Sequence, residues 1–381
     1  MNVEKISEEQ QKNLVNLIKQ VAQIPSPSFS EQQKAGFVKN YLKSCGYKDI
    51  ESDEAGNVIL KIKGNTGKYV AFVAHMDTVF QQETKLELKE DDKNIYCPSI
   101  DDNSSGVSGL LLCAKLISEY KLEPKSSIIF VFSICEEGLG NMHGSKAFVD
   151  KYKEQISEFY AVDGDFTRVY KGKIGHMRYS LETKSQGGHA FFGFGNPNAI
   201  AEMADIAKQI YDIKVPTTDG SKTTYNIGLI NGGRTFNAIA ENCTMSLEAR
   251  SDNNTYLYKL KDKFEIIFDN AKQKGVCLNV KLEYCNPYIT VENDIQKDLI
   301  NRRVEVLKKY STKLPPRVEA ASLDANMAIA AGIPSTSIGV CIGHLGHSES
   351  EYLEKETLKD GLTCMLATVF SYFKQESKYG H

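Results

Sequence analysis

The stretch Tyr69-Val70-Ala71-Phe72-Val73-Ala74-His75-Met76-Asp77-Thr78 decides how this chain is read. Tyr69 to Ala74 is an unbroken apolar run without the alternation of a strand that has one face in water. It therefore predicts a strand buried on both faces, in a sheet covered by helices. The run closes on an imidazole and a carboxylate two residues apart, and in extended backbone such side chains point the same way. His75 is then placed to ligate a metal through one ring nitrogen while Asp77 accepts a hydrogen bond from the other. The plainer alternative is a histidine capping the sheet edge and an aspartate capping the next turn.

Working outward, Val58 to Ile62, Ile128 to Ile134, Phe159 to Asp163 and Ser335 to Cys341 read as further strands. Helical spacing marks Ser7 to Ala22, a second helix through Leu42 capped by Ser28 or Ser30, Gly106 to Tyr120, Gly144 to Tyr152 and Asp294 to Tyr310. Strand and helix alternate, which argues for crossover connections and a mostly parallel α/β sheet with helices on both faces. The middle third differs. His176 to Ser185, Thr223 to Ile230, Asn242 to Ser251 and Val276 to Tyr284 alternate, with helices at Asn198 to Tyr211 and Tyr256 to Lys274. That order describes an α+β unit with an antiparallel sheet, set into a chain that afterwards returns to its first domain.

Bulk properties narrow the function classes. At 381 residues the chain exceeds what one core usually serves, so two domains are expected. Lysine and arginine number 46 against 49 acidic residues, leaving no basic surplus for nucleic acid or an anionic bilayer. The nine cysteines form no close pair and read as reduced, buried side chains. The charged opening Met1-Asn2-Val3-Glu4-Lys5 lacks a signal peptide's apolar segment, and a cytoplasmic protein is expected.

Other acids and imidazoles recur at strand ends. Asp101 in Pro98-Ser99-Ile100-Asp101-Asp102 lies between an apolar residue and another acid, an expensive place for charge unless cations neutralise it. Asp102 and Ser104 read more readily as caps of the following helix. Glu136-Glu137 directly follow a strand; one acid suits a metal, while the other is free to take a proton from a metal-activated water. Asp163 closes another apolar run, with Asp165 as a substitute, and His344 and His347 compete in one glycine-rich loop. The arrangement expected is Asp101 bridging two ions, His75 and Asp163 on one, and Glu137 and His347 on the other. Such oxygen and imidazole donors suit zinc, with manganese or cobalt as substitutes.

In combination these motifs resemble the co-catalytic zinc peptidases and deacylases, the family of peptidase T, carboxypeptidase G, aminoacylase and succinyl-diaminopimelate desuccinylase. His75-Met76-Asp77 is similar to the family's His-x-Asp motif, Asp101-Asp102 to its aspartate turn with a cis peptide, and Glu136-Glu137 to its paired glutamates. The resemblance implies a general base at Glu136, a ligand at Glu137, and His347 over His344, since its spacing to Glu351-Tyr352 follows the closing motif. It implies a catalytic domain at 1–176 and 287–381, interrupted at 177–286 by a lid that often joins a homodimer. Within the lid it implies His189 in Gly187-Gly188-His189-Ala190 as a catalytic contact to substrate. Asn237 and Arg250 follow as substrate-facing residues, although Arg250 also reads as a surface strand residue paired with Glu248. Ser322-Leu323-Asp324-Ala325-Asn326 is similar to the family's turn before a helix, Leu323 departing from the usual small or polar residue. The activity implied is exopeptidase cleavage of tripeptides or dipeptides from the amino end. Deacylation of N-acyl amino acids and carboxypeptidase action use the same centre.

Overall fold

The computed structural model describes residues 2–215, 220–311 and 314–374. The chain divides into two compact units, Met1–Gly172 with Thr290–His381, and Lys173–Ile289. The second is a few residues wider on each side than the 177–286 read from the sequence.

The first unit is built on a six-stranded sheet in the order Ile50–Ser52, Val58–Ile62, Ser127–Ser133, Tyr69–His75, Ile156–Ala161, Ser335–Ser337. The last four strands run parallel, and Val58–Ile62 pairs antiparallel with its neighbours on either side. Tyr69–His75 is therefore a central strand, and its unbroken apolar run is explained by burial on both faces. Val70, Phe72 and Ala74 pack with Val3–Ala22, Ser104–Glu119 and Leu358–Phe370, while Ala71 and Val73 pack with His143–Tyr152 and Ala325–Ala330. The alternation of the strand has sorted one apolar segment between two helical layers.

This register aligns the carboxyl ends of three neighbouring parallel strands. His75 lies opposite Ser133, and Val73 opposite Ala161. The residues that follow each strand, Met76-Asp77, Cys135-Glu136-Glu137 and Val162-Asp163, thus emerge at one sheet edge. The helix Ser104–Glu119 is capped by Asn103, whose side-chain oxygen accepts from the Gly106 amide and whose Nδ2 donates to the Val162 carbonyl. That double contact ties the start of the helix to the Asp163 strand end. Ser28 does not cap the helix Gln32–Ser44, which begins after Glu31 without a side-chain cap; its hydroxyl donates to Asp77 instead.

The second unit has a four-stranded antiparallel sheet, in the order Thr223–Gly232, Asn242–Ser251, Gly175–Lys184, Cys277–Asn286. Helices Ala199–Tyr211 and Asn254–Gln273 share one apolar core with Met177, Tyr179 and Leu181 and with Cys243, Met245 and Leu247. Alternation of burial along Asn242–Ser251 gives the sheet one packed and one open face. A short ribbon pairs Gly188–His189 with Ala238–Ile239. Among the described residues, no helix is long and apolar enough to cross a membrane.

Candidate metal centre

At the sheet edge of the first unit, His75 Nε2 lies 3.1 Å from Asp102 Oδ1 and 3.9 Å from Asp163 Oδ2. His347 Nε2 lies 3.2 Å from the other oxygen, Asp102 Oδ2, and 3.1 Å from Glu137 Oε1. One carboxylate therefore faces two imidazoles, one through each oxygen. Three overlapping ligand sets result: His75, Asp102 and Asp163; Asp102, Glu137 and His347; and His75, Glu136 and Glu137.

The structure corrects the expected position of the shared acid from Asp101 to Asp102. Asp101 Oδ1 accepts from Cys341 Sγ at 3.2 Å and faces Ser105 Oγ at 3.4 Å. The Asp101 carboxylate also packs so closely on Gly343 that a Cβ there would fall 1.9 Å from Oδ2. Lost hydration pushes its pKa up to about 6, with Asp102 adding to the effect. Charge at Asp101 is expensive, as its place in the sequence implies, but what offsets the cost is hydrogen bonding from Cys341 and Ser105 rather than a bridge. Asp102, read as a cap, leaves capping to Asn103. The non-proline cis peptide joins Asp102 to Asn103, one bond later than the resemblance implies.

The electrostatics are those of a site that attracts cations. Burial opposes charge on His75, yet Asp102 and Asp77 push its pKa well above the ordinary imidazole value. Hydrogen bonds that its ring donates to Asp102 and Glu137 push His347 up to about 10. Burial alone would raise Asp102, but the two imidazoles hold it well below the usual carboxylate range. Asp163 is pushed up to about 7, first by burial and then by Asp102. Glu136 is raised well above a normal glutamate by burial and by neighbouring Asp324, Asp163 and Glu137, with His75 opposing. Protons on the histidines thus stand where cations would neutralise the acids, and metal binding at such sites releases protons.

The residues fit a divalent metal ion on a further observation. His75 is buried, its Nδ1 faces the Asp77 backbone carbonyl at 3.1 Å, and its Nε2 makes no hydrogen bond despite the nearby Asp102 oxygen. A ring anchored at Nδ1 with a stranded Nε2 is the orientation a ligating histidine adopts. The Asp77 carboxylate is farther from Nδ1, at 3.5 Å. Its stronger contacts are to the amides of Glu136 at 2.9 Å and Glu137 at 3.0 Å and to Ser28 Oγ at 2.7 Å. Asp77 therefore anchors the paired glutamates as well as the histidine, a role sequence spacing did not reveal. Glu31 acts from the other side, accepting from the Cys135 amide at 3.1 Å and its thiol at 3.2 Å. Lys34 is fully buried, and burial pushes its ammonium down to about 8 against the pull of Asp77, Cys97, Glu351 and Asp102.

The remaining candidates lie elsewhere. Asp165 accepts from Thr167 and Arg317, and His344 pairs with Glu354 at 2.7 Å and stacks on Tyr352, so neither joins the cluster. In the second unit His189 is exposed, lies tilted against Phe192 with ring centroids 4.9 Å apart, and accepts from the Phe191 amide through Nδ1. The Asn237 carbonyl accepts from the Ala190 amide. Arg250 meets the plainer alternative, donating to Glu248 at 2.6 Å.

A parallel sheet whose edge gathers imidazoles and carboxylates around one shared acid, with a spare glutamate beside them, defines a metal-dependent hydrolase of peptide or amide bonds. The chain belongs to peptidase family M20/M25/M40, which it matches over residues 71–371. It is 25% identical over 377 residues to the uncharacterized protein YqjE of Bacillus subtilis (strain 168), covering 91% of this chain and 95% of that one. It is 26% identical over 290 residues to hippurate hydrolase of Campylobacter jejuni, covering 72% and 74%. Among solved structures, a tripeptidase from Staphylococcus aureus shares the fold with a TM-score of 0.76 at 21% identity, covering 94% of this chain and 98% of that one.

Proposed function

We propose that this protein is a di-zinc exopeptidase that cleaves short peptides, tripeptides or dipeptides, from the amino end, with Glu136 as general base. The observation that carries this reading is the shared Asp102 carboxylate, each oxygen facing one histidine, beside a glutamate pair in which Glu137 contacts His347 and Glu136 does not. His75 and Asp163 would hold one ion, Glu137 and His347 the other, and Asp102 both. Ions bound there supply Lewis-acid polarisation of the substrate carbonyl and lower the pKa of the attacking water. Glu136, raised in pKa by burial among acids, takes the proton from that water and returns it to the departing amine. Asp77 keeps both glutamates in place through their amides, so the acid that ligates and the acid that moves the proton stay distinct.

The likeness in fold to a tripeptidase supports the peptide reading. The relationship to a hippurate hydrolase supports a second one, deacylation of N-acyl amino acids at the same centre. Zinc as the ion, a cytoplasmic location and a homodimer joined through the inserted unit complete the proposal. His189, Asn237 and Arg250 enter it as substrate contacts on the strength of the resemblance.

Glu136→Gln tests the chemistry: turnover should fall by about 10²- to 10⁴-fold, the span of general-base catalysis, with metal content retained. Loss of metal in that variant would contradict the assigned role. Product identification with a tripeptide of three different residues, beside N-acyl and N-carbamoyl amino acids, separates aminopeptidase, carboxypeptidase and deacylase.

A further inference from the structure

We infer that Glu351 is a positioning residue that locks the loop carrying Asp102 to the loop carrying His347. This rests on the reading of Asp102 and His347 as metal ligands. Glu351 is fully buried, and its carboxylate spends its acceptor capacity on the backbone of one distant loop. Oε1 accepts from the Asp101 amide at 2.8 Å and the Asp102 amide at 3.0 Å, and Oε2 accepts from the Ser99 amide at 3.2 Å. The Glu351 carbonyl in turn accepts from the Cys97 amide at 3.1 Å.

The topology explains the meeting. Tyr352–Glu354 pairs antiparallel with Asn94–Tyr96, Tyr352 opposite Tyr96, so Glu351 is delivered beside the residues that follow Tyr96. Ser99 sits in the left-handed region at φ 63°, and its amide meets the incoming carboxylate. His347 lies four residues before Glu351, also left-handed at φ 68°. Gly343 presses on the Asp101 carboxylate from the same segment. One short stretch therefore presents a ligand, His347, and grips the backbone that presents the shared ligand, Asp102. The 3.2 Å approach of His347 to Asp102 is set by that grip.

A carboxylate is required because three amides point at two oxygens. Glutamine offers one acceptor oxygen and one amide nitrogen that itself donates, so at least one backbone N–H would face another donor. The loop would then relax, and Asp102 would lose its alignment to both histidines.

The test is zinc titration of Glu351→Gln beside the wild type, with the melting temperature of each metal-free protein measured in parallel. Zinc affinity should weaken by about 10- to 100-fold, the usual effect of removing an outer partner of a ligand. The zinc concentration for half-maximal peptide turnover should rise by the same factor, and saturating zinc should restore kcat with KM unchanged. Glu351→Asp, which keeps two acceptor oxygens on a shorter stem, should bind zinc more tightly than Glu351→Gln and serves if the glutamine variant does not fold. A lowered metal-free melting temperature with wild-type zinc affinity would overturn the positioning role in favour of a purely structural one. A wild-type protein that binds no divalent ion would instead remove the metal-centre reading on which the inference rests.

Discussion

The carboxyl edge of the six-stranded sheet and the Gly188–His189 ribbon of the inserted unit hold their candidate residues in opposite ways. At the sheet edge, His75 and Asp77 are buried, and each is oriented by several partners before any ligand arrives. On the ribbon, His189 is exposed and its ring is held by the Phe191 amide and contact with Phe192. Around it Phe191, Phe192, Phe194 and Phe236 are largely exposed. Buried charge must be matched in place, because an unpaired ion inside a protein is costly. Exposed side chains are solvated and need no such matching. The first region is therefore organised by its own energetics, and the second leaves its groups in solvent with few partners.

Substitutions should divide along the same line. The largest effect is expected for Asp102→Asn, which removes the charge shared by the two histidines. Zinc content should drop toward none, and turnover should fall by more than the roughly 100-fold typical of losing an outer hydrogen bond. Asp101→Asn, one residue away, should keep its metal, and equal losses in the two variants would blur the distinction between them. Next, Asp77→Ala should lower zinc affinity or turnover by about 10- to 100-fold, because it frees the Glu136 and Glu137 amides while the backbone carbonyl still holds His75. Gly343→Ala forces a methyl group into the Asp101 carboxylate and should cost about 1–3 kcal/mol in a urea melt, as overpacking does. Chelation should lower the melting temperature of the wild type, since a bound metal ion at a hundred times its Kd stabilises by about 2.7 kcal/mol.

The inserted unit should respond differently. His189→Ala should leave zinc content and melting temperature unchanged while lowering turnover, and a fall in zinc content would erase the contrast between the regions. The smallest effect on stability, read in a urea melt, is expected for Arg250→Ala. Its pair with Glu248 is half-exposed, and such pairs contribute about 0–1 kcal/mol.

What the sequence made legible follows the same physics. Strands buried on both faces leave long apolar runs, so Tyr69–His75 and Ser127–Ser133 and the acids that end them stood out at once. One-sided strands leave alternation, which marked the inserted sheet. The choice between Asp101 and Asp102 was not legible. Neighbouring carboxylates differ only in which way the loop turns them, and that is set by Cys341, Gly343 and Glu351, all more than 200 residues away in the chain. Ser28 departs from its sequence expectation for a related reason: a serine before a helix is an ordinary cap, and only the tertiary fold brings it to Asp77. Local chemistry is written locally, whereas the partners that aim a side chain come from anywhere.

The most direct measurement is anomalous diffraction from zinc-loaded crystals. Two peaks are expected, each about 2.0–2.2 Å from a different oxygen of Asp102, one also beside His75 and the other beside His347. A single peak, or ions bridged by Asp101 with Asp102 turned away, would contradict the centre described above.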